Sequence, residues 1–216
     1  MSLFKPFATV LAASAAFSLS ACAGGAYTGP VEVTRFVAEQ TTGLGQGRIA
    51  LRFSEELKNE AALDAFRGAI SDELSLLGYT VIGNEETADQ IASVSTSRNA
   101  LSQAGNRQGP VNVGVGGSTG SFGSGLGVGV GINLGGTGRQ SPRVVSQLSV
   151  AISENTADPN RQNLWEARAS FPTGVDSPYA PVDVNARALA RAVFEDFPGG
   201  NGQTVSIDVD DLMEQE

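Results

Sequence analysis

The chain has 216 residues, with fourteen basic and twenty-three acidic side chains, a net charge of −9, no histidine and one cysteine. This acidic balance, with arginines scattered from Arg35 to Arg191 without a run, excludes a nucleic-acid binder, which needs a basic face or stripe. The length is enough to bury a core, and one domain of about 150 ordered residues carrying a long insertion is expected.

The N-terminus reads as an address. Lys5 is a brief positive region, and Phe7 to Leu19 is an apolar stretch shorter than the roughly 20 residues that a membrane-spanning helix needs. The stretch ends in Leu19-Ser20-Ala21-Cys22, which resembles the bacterial lipobox. The resemblance makes residues 1–21 a lipoprotein signal peptide and Cys22 the lipidated first residue of the mature protein. A diacylglycerol plus an amide-linked acyl chain would then hold it to a membrane essentially permanently. Ala23 follows the cysteine in place of an aspartate, and similarity to sorted lipoproteins implies the periplasmic face of the outer membrane. Beyond the leader, one lysine and twelve arginines stand against twenty-three acidic residues, a net charge of −10. With Cys22 acylated no thiol is left for a disulfide, so stability must come from a packed core. Residues 22–30 are small, Gly-rich and closed by Pro30, the composition of a flexible tether.

The domain is expected over residues 31–197. Val31–Val37 and Arg48–Phe53 alternate apolar and polar residues as half-buried strands do, and the Gly-rich run 43–47 between them predicts that they pair as a hairpin. Leu63, Phe66, Ile70, Leu74 and Leu77 recur at steps of three and four, the single apolar stripe of a helix. Gly78 stands where a left-handed C-terminal cap belongs. Tyr79–Ile82 and Asp89–Thr96 read as strands. Residues 105–138 hold fourteen of the twenty-seven glycines, and no charge lies between Arg107 and Arg139. Val144–Ile152 and Asn163–Phe171 are two further strands, joined by the turn-rich Asn155–Asn160. A second helix should begin near Pro181, with Val182, Ala186, Leu189, Val193 and Phe197 as its buried stripe. Residues 198–216 read as an acidic C-terminal tail with one short edge strand at Val205–Ile207.

This order predicts an α+β fold: a mostly antiparallel sheet with two helices packed on one face, plus the Gly-rich insertion. Leu77-Gly78-Tyr79, then Ala88-Asp89 opening a strand, a Gly-rich stretch, Leu164-Trp165-Glu166-Ala167 and a closing helix resemble the bacterial lipoproteins grouped as domain of unknown function 4136. The resemblance covers roughly residues 31 to 197 and implies fold and envelope location. It implies no chemistry, because that family has no assigned activity.

No catalytic, cofactor or metal residues are assigned. Gly116-Gly-Ser118-Thr-Gly120 matches the G-x-S-x-G string of a nucleophile elbow, yet its flanks are glycine and there is no histidine base. Lys58, the one lysine after the leader, has no serine three residues before it. The glycines of the insertion carry no Gly-Lys-Ser/Thr to cradle a phosphate. Val111–Val115 and Leu126–Leu134 instead alternate branched residues with Gly and Asn, which fits a β-hairpin on the domain's own sheet, a low-complexity loop, or a hairpin entering a membrane. Asp208, Asp210 and Asp211 lack the glycine turn and distal glutamate of a calcium loop and read as solvated. Trp165 reads as a core anchor. The expected function is that of a non-enzymatic, lipid-anchored envelope module, structural or protein-binding, with the membrane as one partner and envelope proteins or further copies of itself as others. An oligomer inserting its Gly-rich hairpins into a membrane, and a periplasmic enzyme, are the alternatives.

Overall fold

The computed structural model describes residues 26–39, 41–101, 143–158 and 161–214. The leader, Cys22 and the Gly-rich stretch 105–138 lie outside these residues. The fold is α+β: one seven-stranded mixed sheet carries its helices mainly on one face. The strands are β1 (Val31–Val37), β2 (Arg48–Phe53), β3 (Thr80–Ile82), β4 (Gln90–Leu101), β5 (Arg143–Glu154), β6 (Asn163–Gly174) and β7 (Thr204–Ile207), in the spatial order β3-β2-β4-β5-β6-β1-β7. The β4–β5, β5–β6, β6–β1 and β1–β7 pairings are antiparallel, whereas β2 lies parallel to both of its neighbours.

The expected β1–β2 hairpin does not form. Both strands occupy the residues the alternation marks, but β4, β5 and β6 lie between them. Residues 38–47 can span about 30 Å when extended, and four strand spacings are only about 19 Å, so the link has length to cross the end of the sheet. Each strand then pairs elsewhere: β2 with β3 and β4, β1 with β6 and β7.

Helix α1 (Glu60–Leu76) is capped by Asn59, whose side-chain oxygen accepts from the Ala62 N–H. It ends in a Schellman turn, with the Gly78 N–H on Ser75 O and the Tyr79 N–H on Leu74 O. Gly78 has φ +101°, and a Cβ there would stand 2.8 Å from Gly45 O. Phe66, Ala69, Ile70 and Leu74 bury one face of the helix. Helix α2 (Val182–Phe194) starts after Pro181 as the sequence predicts and buries Ala186, Leu189 and Val193. Together with Val33, Ile49, Val94, Leu148, Val150, Trp165 and Phe171 these side chains form the main core. A small second cluster, Ala50, Ala88 and Ile91, lies across the sheet under the 3-10 turn Glu85–Thr87.

The C-terminal segment departs from the expectation of a solvated tail. After β7 the chain forms helix α3 (Val209–Met213), with Val209 and Leu212 buried. Two apolar residues spaced for one helical face outweigh the acidic composition around them. Among the described residues no helix is long and apolar enough to cross a membrane.

A candidate interaction edge

Each side chain singled out from the sequence within the described residues has a structural partner or lies at the surface. Asp208 caps α3, accepting from the Asp210 N–H at 3.0 Å. The Asp210 carboxylate accepts from the Tyr179 hydroxyl, which pushes the Tyr179 pKa up to about 12 because losing that proton would set two anions side by side. Asp211 and Lys58 are exposed. Thr28, Pro30, Ser206, Asp208 and Asp210 border a shallow open groove beside this helix. Trp165 is fully buried, donates from Nε1 to Pro198 O at 2.9 Å, and stacks on Phe194 at 5.4 Å. Among the described residues no three His, Cys, Asp or Glu side chains converge as metal ligands. The string from Gly116 to Gly120 and Cys22 lie outside the described residues.

Sequence reasoning missed Arg35. Alternation along β1 puts it on the inward face, where it is 4 % exposed. Its Nε and Nη2 donate to Val193 O at 3.1 Å and Ala192 O at 2.6 Å, at the C-terminal end of α2. The Glu195 and Phe197 N–H groups take Arg191 O and Phe194 O, so the last four carbonyls of the helix are all satisfied. Burial pulls the Arg35 pKa down against the opposing pull of Glu195 and Asp196.

Among the described residues, one stretch of β4 leaves its backbone edge without a strand partner. Strands β4 and β5 pair residue for residue from Gln90↔Glu154 to Leu101↔Arg143. On its other side β4 is covered by β2 only from Gln90 to Val94, because β2 stops at Phe53 and the chain turns away toward α1. Val94 O accepts from the Ser54 N–H. Residues of even number in β4 therefore point their N–H and C=O groups toward the β2 side, and those of odd number point toward β5. It follows that Thr96, Arg98 and Ala100 direct three N–H and three C=O groups outward past the end of β2, and among the described residues nothing bonds to them. Ser97, Arg98, Asn99 and Ala100 are exposed. The edge carries no proline, no lysine and no bulge, the devices with which natural sheets blunt a free edge. Its one charge is turned away: Arg98 Nη2 donates to Ala180 O at 2.7 Å, just before α2.

The sheet face opposite α1 and α2 continues this polar character. Ser95, Ser97, Gln147, Ser149, Arg168 and Ser170 fall there by register, and Arg168 pairs with Glu166 at 2.7 Å. Phe36 is an apolar exception, 45 % exposed.

No protein-family model matches the sequence, and no curated protein matches it. Among solved structures the chain is similar to a PDZ domain protein from Parabacteroides distasonis, with a TM-score of 0.50 and 17 % identity over 84 % of this chain. The chain spans 38 % of that protein's length. It also aligns with a PelC dodecamer subunit from Paraburkholderia phytofirmans at 8 % identity and a TM-score of 0.39, over 76 % of this chain and 94 % of the other. The first of these similarities is one of fold.

Proposed function

We propose that this protein is a non-enzymatic envelope lipoprotein, anchored through Cys22 to the periplasmic face of the outer membrane, that binds other polypeptides by strand addition at the open edge of β4. The observation that carries the binding reading is the set of outward backbone groups of Thr96, Arg98 and Ala100. An extended chain laid beside them gains main-chain hydrogen bonds without any rearrangement of the sheet. The lipobox-like end at Cys22 supports the anchor. The uncharged face of Ser95 and Ser97 suits a partner strand with small or polar side chains.

The test is a photo-crosslinking amino acid placed at Ser97 in cells producing the full chain, with the same label at Arg67, exposed on α1, as the control. The binding reading predicts polypeptide adducts from position 97 and few from position 67. Equal labelling from both positions, or none from position 97, contradicts it. The anchor is tested separately by Cys22→Ser, which should move the protein from the membrane pellet to the soluble periplasmic fraction.

A further inference from the structure

We infer that the domain stands on the lipid surface that holds Cys22, with the end of the sheet that carries Arg143 and Gly174 held against the bilayer by a short connection. The inference rests on the anchor reading of Cys22 and deepens it by assigning the end of the domain that meets the membrane. It is carried by the place where the chain becomes fixed. Residues 22–30 have the composition of a tether, yet residues 27–29 are bound to the sheet. The Gly174 N–H donates to Tyr27 O at 2.7 Å, the Gly29 N–H donates to Pro172 O at 2.9 Å, and Thr28 bridges Thr173. The Thr28 hydroxyl shares a 2.7 Å hydrogen bond with the Ser177 hydroxyl. The Arg143 guanidinium lies 3.9 Å from the centre of the Tyr27 ring, a cation–π contact. The seat is tight: a Cβ at Gly29 would stand 2.7 Å from Pro172 Cγ, and one at Gly174 would stand 3.3 Å from Tyr27 N and O.

Five residue steps therefore separate Cys22 from Tyr27, and a fully extended chain covers at most about 18 Å in five steps. Tyr27 and Thr28 lie beside the last residues of β6, just ahead of β1, so the chain reaches the domain through the end of the sheet and not across a face. The same end collects Val31 of β1 and Ile207 of β7. It also holds Leu101 and Arg143, the paired residues at which the insertion leaves and re-enters the sheet. Val175, 47 % exposed, is presented there. So is the exposed Asp176, an acidic group that a phospholipid surface does not attract; the connection, not charge, holds this end down. From it β5 runs 12 residues to the opposite end, about 37 Å away, where the turn after Glu154 begins.

Energy transfer in the full, lipidated chain tests this. Val175→Cys and Ala157→Cys place single donor dyes at the two ends, on exposed positions, while Cys22, acylated at its sulfur, takes no dye. Each chain is reconstituted into phosphatidylethanolamine and phosphatidylglycerol vesicles whose outer leaflet carries an acceptor-labelled lipid. Transfer from position 175 should be several-fold stronger than from position 157, in low and high salt alike. A flexible Gly-Ser segment of about 20 residues inserted after Gly25 adds about 25 Å of reach, and the two positions should then converge. Equal transfer from both ends, stronger transfer from position 157, or a difference that the inserted segment leaves unchanged would overturn the inference. If the chain stays on the vesicles in such a case, the anchor stands and only the orientation is wrong. Dye uptake by the unmutated chain, or its loss from the vesicles, removes the anchor reading and the orientation with it.

Discussion

At the scale of single residues, two buried charges show how polar groups are spent inside this fold. Arg35 is held by the carbonyls of Ala192 and Val193, and removing it leaves both without a donor. Arg35→Met is expected to cost about 2–4 kcal/mol in urea unfolding, since a buried group left unsatisfied costs about 1–3 kcal/mol. Arg168→Ala, whose side chain is 59 % exposed in its pair with Glu166, should change little. Glu73 behaves differently. It lies 3.7 Å from Arg191 and is mostly buried, and burial outweighs the arginine's pull, so its pKa is raised. The nearby Asp72 carboxylate adds to that rise. A carboxyl whose pKa is higher folded than unfolded contributes stability below its unfolded pKa and loses it as pH rises through the folded value. Glu73→Gln should therefore remove a decline in stability between the ordinary glutamate range, about pH 4.3, and the raised folded pKa. Urea unfolding of both proteins at acidic and neutral pH measures the difference, and parallel pH profiles would contradict it. The inward position of Arg35 was legible from the alternation of β1. Its task was not, because nothing local in the sequence announces that the end of α2 arrives 157 residues later.

At the scale of elements, sequence and structure agree where the signal is local. The stripe of α1, the glycine after it, the start of α2 at Pro181 and the bounds of β1 and β2 were legible, because periodicity, capping and turn chemistry act within a few residues. The pairing of β1 with β6 and of β2 with β4 was not, because register between distant strands is fixed by the whole sheet. The open edge was hidden for a related reason. Ser97 to Leu101 lack apolar alternation and extend β4 only because β5 runs alongside, and the edge exists only because β2 is half as long as β4. The Schellman turn gives a sharp test: Gly78→Ala forces a side chain into φ +101° against Gly45 O. It should lose more than the roughly 1 kcal/mol that a favourable glycine cap supplies. Leu212→Ala should cost about 2–5 kcal/mol if α3 is part of the core, whereas a solvated tail would lose nothing. Thermal melts of the two variants give both answers.

At the scale of the whole molecule, the Gly-rich insertion leaves and re-enters the sheet at Leu101 and Arg143, which pair directly. Replacing residues 110–137 by a short Gly-Ser linker should therefore preserve the cooperative melt, since the strand ends are already held together and loop length costs little. Loss of folding in that variant would make the insertion part of the core. If liposome leakage is caused by the intact chain and abolished by the replacement, the membrane-inserting alternative gains over strand addition. The central claim is narrower and concerns three amides. Hydrogen exchange of the chain at low concentration should find the amides of Thr96, Arg98 and Ala100 fast, while those of Ser95, Ser97 and Asn99, bonded to β5, are slow. Uniform protection from Ser95 to Ala100 would mean that the edge is already covered, and would contradict the account.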